Sequence, residues 1–209
     1  MKNIESILSS GRFQEERFIA DFDELKPVVD LLRFQGKKIV LTSGVYDLIH
    51  MGHARYMEEA KKHGDILIVG VDSDELTKVR KGPSRPIVPE DERIEMLLHL
   101  RHVDIVTIYH PGKDNSELLE LIKPDVFIMS ETTKDVARQK ETIEKLHINC
   151  VLLPSQAPLS SSQRIRQLLL DGAIAISKIV KQHTETLLKE IESFFEQHGE
   201  KGGGDDLKK

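Results

Sequence analysis

Two histidines, His50 and His53, are separated by Met51-Gly52 at the point where an apolar run ends and a helix-forming run begins. Imidazoles this close can donate hydrogen bonds to one polyanion. A helix N-terminus adds unpaired backbone N–H groups and the positive end of its dipole, so the place suits phosphate. As charge collects on the bridging oxygen and on a departing pyrophosphate, fixed donors bind the transition state better than the ground state, which is what catalysis requires. Gly52 lets the backbone come close to such a phosphate, because a Cβ would occupy the same space. On these four residues alone, a metal-binding pair or two surface histidines are readings that stay open. The buried strand ahead of them favours phosphate.

Two other clusters could join in that chemistry. The stretch Asp72–Pro86 reads as a loop after the second strand and gathers Lys78, Arg80, Lys81 and Arg85 around Gly82-Pro83, in a chain of net charge −5. Such cations either seat a phosphate-bearing substrate or are a solvated basic loop. Further on, Ser161 and Ser162 open a helix that carries Arg164 and Arg166. Serine hydroxyls cap a helix and, with its free N–H groups, can hold a γ-phosphate while arginines one turn in close over it; a plain cap with two exposed arginines is the alternative. Asp47 reads as a brace for its loop or a support for a histidine, with Mg²⁺ ligation as the lesser role. His99, His102 and His110 are scattered and read as structural or exposed.

The elements that must position these groups follow from hydrophobic patterning. Lys38–Thr42, Ile66–Val71, Val103–Ile108, Val126–Met129 and Ile148–Leu153 are short apolar, β-rich runs, as strands buried on both faces of a parallel sheet would be. Helical segments alternate with them: Gly52–His63, Pro89–Leu100, Ser116–Ile122, Thr133–Leu146 and Ser162–Leu170. That alternation predicts an α/β fold with a doubly wound, mostly parallel, five-stranded sheet. In such sheets ligands sit beyond the carboxyl ends of the strands near the switch point, where Gly44–His53 falls.

Ahead of the sheet, residues 1–36 read as an N-terminal helical extension with an apolar stripe over Leu25–Phe34, followed by a domain over 37–172. Residues 173–198 form an amphipathic C-terminal helix. Its stripe needs covering by its own domain or by a second subunit in a homodimer. Residues 199–209 read as a flexible tail. Hydrophobic content of 39% and charged content of 31% describe a soluble chain, and no apolar run approaches the roughly 20 residues that cross a membrane. The acidic balance argues against broad binding to nucleic acid or to an anionic membrane. The opening Met1-Lys2-Asn3-Ile4-Glu5 lacks a secretory pattern, which implies a cytoplasmic protein. Cys150 is the single cysteine and reads as a small core residue.

The run Gly44-Val45-Tyr46-Asp47-Leu48-Ile49-His50-Met51-Gly52-His53 resembles the Gly-x-Phe-Asp-x-x-His-x-Gly-His signature of the cytidylyltransferase-like nucleotidyltransferases, with Tyr46 where phenylalanine is usual. Lys81–Ile87 and the following Arg93–Leu97 resemble segments of heptose-1-phosphate adenylyltransferases and archaeal-type FAD synthases, and Ser161–Arg166 is similar to the superfamily's second signature. The resemblance covers roughly residues 37–172 and implies a Rossmann-like sheet.

It also implies roles: His50 and His53 stabilise developing charge, Lys81 and Arg93 hold phosphates, Ser43, Gly44, Val45, Tyr46 and Gly52 line the nucleotide, and Ser161, Ser162, Arg164 and Arg166 take its β/γ end. The implied reaction moves a nucleoside monophosphate from a Mg²⁺-bound ATP or CTP to a phosphorylated small-molecule acceptor. Pro154-Ser155-Gln156-Ala157 stands where cytidylyltransferases carry Arg-Thr-x-Gly, and Arg164-Ile165-Arg166 resembles the adenylyltransferase branch, so AMP transfer is expected. The strand end Met129-Ser130-Glu131-Thr132 departs from the heptose-1-phosphate pattern, which leaves the sugar open. A cytidylyltransferase for glycerol-3-phosphate or another alcohol phosphate, and a nucleotide-binding regulator that has lost its chemistry, are the alternatives.

Overall fold

The structure is a computed structural model that describes residues 14–110, 115–131, 136–159 and 161–199. The proposed tail beyond residue 199, and the start of the helix expected from Thr133, lie outside the described residues. The chain divides into two compact units, residues 1–161 and 162–209.

In the first unit the elements run α1 (Gln14–Arg17), α2 (Phe22–Phe34), β1 (Ile39–Gly44), α3 (Met51–Lys61), β2 (Ile66–Asp72), α4 (Asp74–Lys81), α5 (Glu90–His99), β3 (Ile105–Tyr109), α6 (Asn115–Ile122), β4 (Val126–Ser130), α7 (Val136–Lys145) and β5 (Asn149–Leu153). Helix α8 (Ser161–Gly199) begins at the end of this unit and forms the described part of the second. The strands pair in the order β3-β2-β1-β4-β5, all parallel. β1 is therefore central, with the chain winding one way through β2 and β3 and the other way through β4 and β5. The β1–β4 boundary is the switch point, and β1 delivers Gly44 and the histidines to it.

Two apolar layers follow from strand alternation. Ile39, Leu41, Ile66, Ile68, Ile105, Phe127 and Met129 pack with Phe22–Leu32 of α2, Leu118–Ile122 of α6 and Ile143 of α7. Val40, Leu67, Val69, Val71, Val106, Ile108, Val126 and Ile128 pack with Met57 and Ala60 of α3 and Ile94–Leu98 of α5. Successive residues point to opposite faces, so a continuous Val/Ile/Leu run is what a strand covered on both sides requires.

The N-terminal segment is part of this unit's core. Phe18 bridges to Val106, the Ile19 amide donates to the Val106 carbonyl at 2.9 Å, and buried Arg17 donates to the carbonyls of Val103 and Leu98. Asp21 caps α2 by accepting from the Asp23 amide at 2.8 Å.

Two expectations about elements are corrected. The stretch expected as a loop after β2 contains the helix α4. Ser73 caps it by accepting from the Leu76 amide at 3.2 Å, Asp74 and Glu75 fill its first turn, and Lys78, Arg80 and Lys81 its last, so each charge sits at the dipole end that favours it. The two helices expected over Ser162–Leu170 and Ala173–Gln197 are one continuous helix, because Gly172 lies inside it and a lone glycine costs only about 1 kcal/mol in a helix this long. Among the described residues no helix is long and apolar enough to cross a membrane.

Candidate active site at the end of the central strand

The loop from Val45 to His50 leaves β1 through two left-handed residues, Tyr46 at φ 53° and Leu48 at φ 48°. Each costs on the order of 1–3 kcal/mol and persists only where the surroundings hold it. Tyr46 is buried, with its ring edge-on to His53 at a centroid distance of 5.8 Å. Its hydroxyl lies 3.4 Å from that of Thr42, which lies 3.0 Å from that of Tyr56, and Tyr56 donates to the Ile128 carbonyl at 3.2 Å. Since Tyr56 has one proton and gives it to Ile128, the relay runs from Tyr46 to Thr42 to Tyr56 and ties the loop to β4 across the switch point.

Asp47 performs the bracing expected of it. Its carboxylate accepts from the Ile87 and Val88 amides, each at 3.0 Å, and pairs with Arg85 at 2.7 Å.

At the head of α3, His50 is the N-cap. The Gly52 amide donates to His50 Nδ1 at 3.0 Å, and the His50 amide donates to His53 Nδ1 at 3.3 Å. A backbone N–H can only donate, so this geometry assigns each Nδ1 a lone pair and each neutral ring its proton on Nε2. The ring centroids are 4.3 Å apart. Burial, then the neighbouring His50 and Lys81, lower the His53 pKa to about 4, against a smaller opposing pull from Asp47. His53 is therefore a neutral N–H donor at pH 7.

Gly52 is required by packing. A Cβ there would stand 2.5 Å from the Ala157 Cβ and 2.7 Å from His50 Cε1. The segment that follows β5 thus returns onto the first turn of α3, and the buried Ser161 hydroxyl donates to the Leu48 carbonyl at 3.3 Å. The histidine loop and the serine that opens α8 meet at one end of the sheet. Ser162, Arg164 and Arg166 follow on the first turns of α8 and are exposed.

The remaining candidates divide into braces and open cations. Ser43 and Gly44 end β1, and the Val45 carbonyl accepts from Arg93. Arg93 was expected on a phosphate. It is buried, and it donates to the carbonyls of Val45 and Val88 (2.9 Å) and pairs with Asp74 at 2.7 Å. In this structure it ties the histidine loop to the starts of α4 and α5. Arg80 pairs with Asp72 at 2.8 Å; burial raises the Asp72 pKa, and Arg80 opposes that rise. Lys78 and Lys81 are exposed residues. The charged end of Lys81 is nonetheless crowded enough that desolvation, and then the charge of Arg85, lowers its pKa.

The partners Asp72 and Asp74 were missed by sequence reasoning. Asp74 lies 19 residues from Arg93 and reads locally as a helix-start acid, so no periodic signal links the two. Among the described residues no group of three or more His, Cys, Asp or Glu could hold a metal ion.

A family profile described as cytidylyltransferase-like matches residues 41–188. Bifunctional protein HldE of Desulfatibacillum aliphaticivorans is 38% identical over 146 residues, covering 69% of this chain and 30% of that protein. The Aliarcobacter butzleri protein of the same name is 43% identical over 110 residues, covering 53% of this chain and 23% of its own length. The chain thus spans less than a third of either relative. Among solved structures, pantoate-beta-alanine ligase from Francisella tularensis superposes with a TM-score of 0.53 at 16% identity, covering 69% of this chain and 70% of that one, which is a likeness of fold.

Proposed function

Because the chain belongs to the cytidylyltransferase-like family, we propose that it is a nucleotidyltransferase that moves AMP from ATP to a phosphorylated small molecule such as a sugar phosphate. The observation that carries this reading is the pair of imidazoles 4.3 Å apart at a helix N-terminus, each with its Nδ1 accepting from a backbone amide, so that a neutral ring carries its proton on Nε2. The similarity to bifunctional protein HldE supports an activity of this class.

In the proposed reaction an ionised oxygen of the acceptor phosphate attacks the α-phosphorus of ATP. A new P–O bond forms, the α–β bridging P–O bond breaks, and pyrophosphate leaves with the electron pair. No general base is needed, since the nucleophile already carries its charge. His50 and His53 donate to the oxygens on which charge develops; His53, neutral at pH 7, stabilises it without having to lose a proton. Lys81 attracts the acceptor phosphate, and Arg93 acts as a positioning residue through the Val45 carbonyl. Ser161, seated on the Leu48 carbonyl, is a proposed partner of the β/γ end. The same end is the proposed partner of Ser162, Arg164 and Arg166.

Mg²⁺ would arrive with the triphosphate, supplying charge neutralisation. The described residues form no cage for it, and the Asp47 carboxylate is engaged by Arg85 and two amides.

The test is pyrophosphate release from ATP and from CTP across phosphorylated sugars, alcohol phosphates and FMN. Release from ATP with a sugar phosphate is expected. Release from CTP but not ATP, with glycerol-3-phosphate, would move the chain to the cytidylyltransferase reading. Tight ATP binding with no release from any acceptor would mark a regulator.

A further inference from the structure

We infer that α8 is a self-association helix, and that a second copy of this chain pairs with it antiparallel. Leu169, Ile176, Val180, Leu187, Ile191 and Phe194 follow one another at steps of seven, four, seven, four and three residues. That spacing puts them on one face of a straight helix. They are between 51% and 70% exposed, and no other described residue of the second unit covers the face. Thirty-nine residues make a helix about 58 Å long. A partner helix along that face would bury on the order of 800 Å² per copy, the size that specific dimers use.

Charge selects both the occupant and its direction. Residues 162–181 carry Arg164, Arg166, Lys178 and Lys181 against Asp171, whereas residues 182–197 carry Glu185, Glu190, Glu192 and Glu196 against Lys189. One half of the helix is basic and the other acidic. Antiparallel pairing sets each basic half beside the partner's acidic half and opposes the two helix dipoles; parallel pairing sets like beside like. Centred between Lys181 and Gln182, such a pair places Leu169 across from Phe194, Ile176 across from Leu187, and Gly172 across from Ile191. An added Cβ at Gly172 meets nothing within 4 Å in the single chain, which leaves space for the larger side chain. An acidic second half is the wrong polar face for an anionic membrane surface, which calls for Lys and Arg.

Sedimentation velocity of the full chain at micromolar concentration is expected to give a dimer. Ile176→Glu with Leu187→Glu is expected to give a monomer of unchanged helix content, and Glu185→Lys with Glu192→Lys and Glu196→Lys to weaken the dimer at least ten-fold at low salt. In a Cys150→Ser background, energy transfer between labels at Gln167→Cys on one copy and Glu196→Cys on the other is expected to be high, and between two labels at 196 low. A wild-type monomer, a dimer that survives both variants, the reverse transfer pattern, or flotation of monomers with vesicles of anionic phospholipid would each overturn the inference.

Discussion

His53 Nδ1 accepts the His50 amide proton at 3.3 Å, and burial is the largest influence on how the ring titrates. A proton on Nδ1 would face another N–H, and burial beside His50 and Lys81 already lowers the pKa to about 4. The folded pKa therefore lies below the ordinary unfolded value of about 6.5, and the sign of the linkage follows. Above pH 6.5 neither state binds the proton and the site contributes nothing. Between pH 6.5 and 4 the unfolded chain takes it up first and stability falls; below pH 4 the loss is complete. After allowance for partial exposure, the loss is about 1–2 kcal/mol. Urea unfolding at pH 7 and 4.5 should show it in the wild type and not in His53→Gln; equal pH dependence in both would contradict the assignment. His53→Ala should lower kcat by about 10²–10³-fold, the usual cost of removing one preorganised donor. Gly52→Ala forces a Cβ against Ala157 and the His50 ring, and should cost about 1–3 kcal/mol in thermal melts together with ATP affinity.

Elements matter here through the braces that join them. Arg93 in α5 reaches the Val45 carbonyl after β1 and Asp74 at the start of α4, while Asp47 holds the segment before α5 by two amides and Arg85. Arg93 is buried while its partner Asp74 is partly exposed, so Arg93→Ala, which also strips two carbonyls of their donor, should destabilise the nucleotide-free protein by about 2–4 kcal/mol in denaturant titrations. Arg93→Lys should recover little of that, because an ammonium cannot span the same three acceptors. If Arg93 served mainly to bind phosphate, the free protein would melt normally and only substrate KM would rise. The strand runs and most helices were legible in the sequence, since burial on both faces writes itself as uninterrupted Val, Ile and Leu. Helix α4 was not: its Gly82-Pro83 end and its charges read as a loop, although its serine cap and charge order suit a helix.

For the whole molecule, ATP binding should appear as added stability. At a hundredfold excess over Kd the gain is about 2.7 kcal/mol, measurable as a thermal shift that His53→Ala reduces together with affinity. Strand count, sheet class, the histidine pair and its place beyond a buried strand were all settled by the sequence, because they depend on neighbours within a few residues, where periodicity and capping act. Only the tertiary structure decided that the Ser161 hydroxyl rests on the Leu48 carbonyl, 113 residues away, that Ala157 fills the space Gly52 leaves, and that Arg93 is a brace between elements. Those contacts arise from the order in which strands enter the sheet, and local patterning carries no record of that order.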